Sequence, residues 1–343
     1  MSSSAQFINA AAAARRLGVS AKALRLYEQR GLLAPVRTTA NWRTYGPAEM
    51  AQAAEIAALR ALGLSLSQVA QVFNGEPDCL EPALAAHQAA LESRLRQLAG
   101  TVDKVRNLRA DLARGQAPAA GELPALLSPA SQIEIALDLP WPWGGERFEL
   151  AAIKPLTYII GPLGSGKTRL AQAIAATTPG AAFLGLDRLI AGEAAESHLA
   201  KDTALNARVE QALAWLTEDG ATPSAALTAL IVGLEIEGPV ILVVDMVEQG
   251  LGQTTQEAVI AHLRRRGPEA RPLFLMTRSC AILDLTAVGA DEAIVLCPAN
   301  HSPPTLVAPY PGAAGYEAVA TCLASPEVRA RTEGVIAWRP HVA

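Results

Sequence analysis

Gly161, Gly164, Gly166, Lys167 and Thr168 stand at the spacing G-x-x-x-x-G-K-T, with a third glycine inside the turn. Glycines let a backbone turn tightly enough for several N–H groups to converge on one phosphate chain. A lysine at the end of such a turn supplies charge for the β- and γ-phosphates, and the next hydroxyl is a ligand for Mg²⁺. The run Gly161, Pro162, Leu163, Gly164, Ser165, Gly166, Lys167, Thr168 and Arg169 is therefore a candidate phosphate cradle. The ligand it predicts is ATP with Mg²⁺. GTP is ranked low, because no N-K-x-D sequence is present to specify guanine; another phosphorylated ligand stays open.

These residues need elements to hold them. Leu156–Ile160 is an apolar run that suits a buried strand, and Arg169–Thr177 suits a helix whose N-terminus faces the anion. Val240–Val244 is a second apolar run, ended by Asp245. Asp245 falls at the strand edge where open sheets bind ligands, and its carboxylate can join Thr168 in holding Mg²⁺. Ala182–Leu186, Leu273–Met276 and Ala293–Leu296 supply further strands. Strands alternating with helices predict an α/β, three-layer domain with a mostly parallel sheet. Upstream, residues 133–139 and Arg147–Ala152 alternate as strands around a turn holding Trp141 and Trp143.

A second chemical set lies near the N-terminus. Gly18-Val19-Ser20 separates an Ala-rich helical stretch, Ile8–Leu17, from Ala21–Arg30, with Ser20 placed as N-cap. Two short helices about a glycine-containing turn form a helix-turn-helix. Ser20, Lys22, Arg25 and Tyr27 lie where phosphates and base edges are met. Residues 35–41 read as a loop and Trp42–Tyr45 as a β-prone piece, a wing carrying Arg37, Arg43 and Tyr45. Helices over Ala48–Leu62 and Ser65–Phe73 follow.

This order resembles the winged helix-turn-helix of the MerR family of transcription regulators. Gly18-Val19-Ser20, Leu24-Arg25, Tyr27-Glu28, Gly31-Leu32-Leu33, the wing residues Arg43 and Tyr45, and Leu62-Gly63-Leu64-Ser65-Leu66 carry the likeness. Leu26 stands in place of a tyrosine, Ala23 of a threonine, and Asn41-Trp42 of Gly-Tyr. The resemblance implies double-stranded promoter DNA as a partner, with RNA polymerase acting on the same promoter. Leu84, Leu91, Leu98, Val105 and Leu112 recur every seven residues, with Leu95 and Val102 in the second seam position, which predicts a coiled-coil helix. The family resemblance implies that residues 82–113 form a homodimer. Cys79 lies near the start of this helix but no cysteine follows its end until Cys280, so metal sensing is not expected.

The chain of 343 residues predicts four parts: a winged helix-turn-helix over 1–75, a dimerisation helix over 76–114, a Pro/Gly-rich linker over 115–131 and a nucleotide domain over 132–343. Charge is uneven. Residues 1–115 hold 14 Lys+Arg against 9 Asp+Glu, whereas 116–343 hold 15 against 24. The basic part fits an anionic partner. Four scattered cysteines, no membrane-length apolar run and no basic-then-apolar leader lead to the expectation of a cytoplasmic protein that makes no membrane contact.

The nucleotide domain resembles an ABC-type ATPase at its motifs. "VILVVDMVEQGLG" is similar to that family's Walker B and D-loop, and "FLMTRSCAILDL" to its switch segment. Met246 takes the place of the catalytic glutamate, Arg278 that of the switch histidine and Gly252 that of the D-loop aspartate; Thr222–Ala226 keeps only the small residues of the signature. Glu248, two positions beyond Met246, is the remaining candidate catalytic base. A misplaced base costs about 10²–10⁴ in rate, so slow or absent hydrolysis is expected. Trp141 or Trp143 is either an adenine-stacking aromatic or turn packing. His198, His262, His301 and His341 form no spacing motif and read as surface residues; Arg264–Arg266 reads as complementing a helix dipole. Residues 298–312 read as loop and Tyr316–Arg331 as a helix. The combined reading is a DNA-binding regulator with ATP–Mg as effector; the alternative is a working DNA-associated ATPase of repair or mobile-element maintenance.

Overall fold

The computed structural model describes residues 7–38, 41–116, 134–150, 153–189, 192–267 and 270–328. The chain divides into two compact units, residues 1–134 with 150–153, and 135–149 with 154–343. The expected linker falls almost wholly outside the described residues, as do Ile133 and His341.

In the first unit, β1 (Ile8–Asn9) precedes α1 (Ala10–Leu17). Asn9 caps this helix by accepting from Ala12 N at 2.9 Å, so the helix starts two residues later than its alanine content predicts. Gly18, left-handed at φ 67°, stops it. Ser20 accepts from Ala23 N at 3.0 Å and opens α2 (Ala21–Gln29). Caps of this type contribute about 1 kcal/mol each. β2 (Val36–Arg37) and β3 (Arg43–Tyr45) form the wing, and β1 joins β3 to give the antiparallel order β1-β3-β2. Ile8 is therefore a strand partner of Tyr45 rather than a helical residue. α3 (Pro47–Ala61) and α4 (Leu66–Phe73) follow, with Glu49 reaching back to Gly46 N and Gln68 to Ser65 N. Leu24, Tyr27, Tyr45, Ile56, Leu64 and Val69 share one core. Beyond a short 3-10 turn, α5 (Leu80–Ala113) runs for 34 residues.

The second unit opens on a hairpin of β4 (Ile135–Asp138) and β5 (Arg147–Leu150). Its main sheet has the order β11-β10-β6-β9-β8-β7. Those strands are β6 (Leu156–Ile160), β7 (Ala181–Leu184), β8 (Ile241–Val244), β9 (Leu273–Met276), β10 (Glu292–Leu296) and β11 (Thr305–Leu306). All pairings are parallel except that of β11 with β10. The expected loop over 298–312 thus contains an edge strand. α6 (Lys167–Thr177) lies against β7 and β8. α7 (Gly192–Lys201), α8 (Thr203–Glu218), α9 (Ala225–Glu235) and α10 (Gln253–Arg265) follow. Residues of α8, α9 and α10 share a core with Leu156, Tyr158 and Ile160, the alternate residues of β6. Both faces of the sheet are therefore covered, and β8 and β9 are apolar at every position because they have no solvent side.

Two expectations are corrected here. The helix that opens at Tyr316, α11, ends at Cys322 rather than running unbroken towards Arg331; helical residues resume at 326–328. Leu323 is extended and Ala324 bridges Ser279 in parallel; Pro326, three residues on, disfavours helix at its predecessor. His262 is not a surface residue. It is buried against Trp215, ring centroids 5.4 Å apart, and burial lowers its pKa to about 4. The adjoining arginines serve packing as well as the helix end. Arg264 pairs with Glu292 at 2.8 Å, and Arg265 lies over the Trp215 ring at 4.8 Å.

Candidate functional site

The phosphate loop sits at the C-terminal edge of the sheet, between the end of β6 and α6. Gly164 and Gly166 take left-handed φ values of 80° and 89°, which L side chains rarely adopt. A Cβ at Gly166 would also lie 2.5 Å from the Trp143 ring. Trp143 is thus packed against the loop, with Nε1 donating to Ser302 O at 3.1 Å. Packing is its role here. Trp141 is 77 % exposed and is the ring with a face left over. His301, exposed and at φ 58°, places Nε2 3.1 Å from Gly164 O.

Lys167 is buried, and its Nζ donates to Gly161 O and Pro162 O, both at 2.7 Å. Burial is the main cause of its lowered pKa, and Arg278 adds to it. Ser165 is 1 % exposed and its Oγ has no hydrogen-bond partner among the described residues. Thr168 and Arg169 are exposed at the first turn of α6.

Asp245 follows β8 and is buried, with Oδ1 lacking a hydrogen-bond partner among the described residues. Burial raises its pKa against the pull of Arg188, and Glu248 raises it further. Glu248 is buried too, and its Oε1 accepts from Arg278 N at 2.9 Å. Met246, in the place expected for a catalytic glutamate, is left-handed at φ 41°.

Arg188 was not legible as a site residue. It lies in a 3-10 turn after β7 and is buried. Nη1 donates to Gly185 O at 2.7 Å and Asp245 O at 2.8 Å, and Nη2 donates to Met246 O at 2.8 Å. It clamps the backbone on which Asp245 stands. The signal for it is weak in sequence, because 57 residues separate it from Asp245; only the pairing of β7 with β8 brings them together.

On the first unit, Arg25 is exposed on α2 and makes no hydrogen bond or ion pair among the described residues. Lys22 is half-buried on the same helix. Ser20 spends its oxygen on the helix cap. Tyr27 and Tyr45 are corrected from contact residues to core residues: both are buried, Tyr45 completely. Tyr45 OH donates to Glu28 Oε1 at 2.8 Å, and Arg43 Nε donates to Glu28 Oε2 at 2.7 Å. Burial, with Glu28 next in weight, holds the Tyr45 phenol well above its ordinary range. One carboxylate of α2 therefore anchors two residues of the wing. At the tip, Arg37 donates to Asn41 O and Oδ1, and Trp42 is 74 % exposed.

A helix-turn-helix, a two-stranded wing and a long helix are the parts of a DNA-binding regulator, here continuous in sequence with an α/β unit that carries a phosphate loop. The model of the MerR HTH family regulatory proteins matches residues 9–76. The chain belongs to the MerR family and is a MerR-type transcription regulator. It is 34 % identical over 107 residues to a probable heavy metal-dependent transcriptional regulator of Haemophilus influenzae, covering 29 % of this chain and 84 % of that one. It is also 34 % identical over 110 residues to the HTH-type transcriptional regulator HmrR of Sinorhizobium medicae, covering 30 % and 72 %. Among solved structures it is similar to the ADP conformation of an ATP-binding cassette of an ABC transporter. That likeness has 14 % identity and a TM-score of 0.37, over 59 % of this chain and 98 % of that one. A bacterial Atm1-family ABC exporter with ATP bound gives 12 % identity and a TM-score of 0.36, over 84 % and 66 %.

Proposed function

We propose that this MerR-type regulator binds DNA as a homodimer and takes ATP with Mg²⁺ as its effector, hydrolysing it slowly or not at all. The observation that carries this is the set of buried polar groups at the phosphate loop: the Lys167 ammonium, the Ser165 hydroxyl and the Asp245 carboxyl, the last two with oxygens lacking hydrogen-bond partners among the described residues. Burial weakens the charged form of both Lys167 and Asp245. A polyphosphate restores the first and a divalent cation the second, so a ligand carrying both relieves two desolvation costs at once.

When bound, Mg²⁺ would neutralise phosphate charge, with Thr168 and Asp245 as the residues placed to hold it. The loop N–H groups of 163–168 would orient the phosphates, and Trp141 offers a ring for the base. Slow turnover follows from Met246, which carries no base, and from Glu248, whose Oε1 is already engaged by the Arg278 amide. Differential affinity of ATP for two dimer states would shift promoter geometry for RNA polymerase. α5 is the element proposed to dimerise. Its stripe of Leu84, Leu91, Leu95, Leu98, Val102, Val105 and Leu112 is between 40 and 67 % exposed.

A second reading, a working DNA-associated ATPase, is favoured by one observation: Glu248 is a buried carboxylate within electrostatic reach of Asp245. The test measures DNA binding to the upstream region with and without ATP–Mg while following phosphate release. A changed affinity or footprint without turnover supports the effector reading. DNA-stimulated release abolished by Glu248→Gln supports the enzyme, and nucleotide-independent DNA binding with no ATP affinity sinks both.

A further inference from the structure

A cavity of about 540 Å³ opens beside the phosphate loop, on the side away from Lys167 and Thr168, which do not line it. It lies between the start of the loop, the end of β10 and α11. Pro162, Leu163, Leu296 and Ala318 give apolar walls, and Arg278 and Thr321 give a polar end. On the loop its lining takes in Gly161, Pro162 and Leu163, the opening residues of the candidate cradle, and leaves out Gly164–Thr168.

Arg278 is the notable wall. Its side chain makes no hydrogen bond or ion pair among the described residues, yet its root is fixed from two sides. Its N–H donates to Glu248 Oε1 at 2.9 Å, and its carbonyl accepts from Ala324 N at 2.9 Å. Cys280 N in turn donates to Ala324 O at 3.0 Å. A guanidinium on so fixed a stem, facing an apolar chamber, is pre-organised for a planar oxyanion.

We propose that this cavity is a second binding site, for a small organic carboxylate with an apolar body, held through a forked pair to Arg278. Its volume falls in the range of small-molecule sites. The lining supplies one cationic side chain, which matches a monoanion; a phosphate dianion would leave a charge unmatched among apolar walls. Methylene or aromatic groups of the ligand would cover Leu296 and Ala318. Because the Arg278 backbone is held by Glu248, occupancy would act on the segment beside Asp245. The site itself does not depend on ATP binding at the loop.

The test is calorimetric titration of the full chain with octanoate and 4-phenylbutyrate, each compared with its neutral amide. One-to-one binding of the acids is expected, with the amides at least about tenfold weaker. Arg278→Gln should bring an acid to the level of its amide. Ala318→Phe, which fills the chamber, should abolish binding with the circular dichroism unchanged; if that variant misfolds, the Arg278→Gln comparison decides alone. The proposal is overturned if neither acid binds at millimolar concentration, if acid and amide bind equally, or if Arg278→Gln leaves acid affinity intact. One-for-one displacement by ATP–Mg would put the acid in the nucleotide's own footprint and overturn it as well.

Discussion

Lys167 is where a single residue has most leverage on the nucleotide. Losing charge-assisted hydrogen bonds costs about 1.5–3 kcal/mol, so Lys167→Ala should weaken ATP binding by roughly 10–100-fold. Trp143, packed on Gly166, is a built-in reporter, and its fluorescence change on adding ATP should move to higher concentration in the variant. A second residue-scale prediction concerns His262. Its folded pKa, about 4, lies below its ordinary 6.5. Between these values the unfolded chain holds more protons, so His262 takes stability away as pH falls from 6.5 to 4, by at most about 1.4 kcal/mol per pH unit. Comparing melting curves over that window, His262→Gln should show a shallower acid slope than the parent. The burial of His262 is legible in its helix face, since Ala258 and Val259 precede it by four and three residues and are buried with it.

At the scale of elements, the wing and α2 hang on one carboxylate. Glu28→Ala should free Arg43 and Tyr45 together, lower the melting temperature and weaken DNA binding. Adding Arg43→Ala to it should cost less than the two single losses combined, a coupling that a double-mutant cycle measures. Arg43 alone is thus an ambiguous reporter of DNA contact, whereas Arg25 is a clean one. The wing was legible only in part: Trp42–Tyr45 read as a β-prone piece, whereas its partner strand, Val36–Arg37, falls in the stretch that read as loop. Its anchoring was not, because the bonds from Glu28 span 15 and 17 residues and no local pattern marks them. The long helix was legible from its seven-residue stripe. If that stripe pairs two chains, Leu91→Glu with Leu98→Glu should yield a monomer in sedimentation and lose high-affinity binding to a two-half-site operator. The strand–turn–helix around G-x-x-x-x-G-K-T was legible because it is local, eight residues between β6 and the turn of α6. Arg188 was hidden because its meaning is a matter of strand order.

For the whole molecule, the two functions should be separable by substitution. Arg25→Ala should reduce DNA affinity and lower the salt slope by about one, with ATP affinity unchanged. Lys167→Ala should leave nucleotide-free DNA binding intact and erase any effect of ATP on it. A parallel loss of both activities in either variant would argue against two sites joined by linkage and for a single folding defect.

The sheet order has a consequence for which ligands qualify. β9 stands between β6 and β8, so the strands that lead to Lys167 and to Asp245 are two spacings apart, about 9.6 Å. On the proposed reading, a ligand has to bridge β9 to engage both the residues that would meet its phosphates and the carboxylate that would meet its cation. A cation-bearing triphosphate is then expected to bind ahead of a diphosphate, and a monophosphate last.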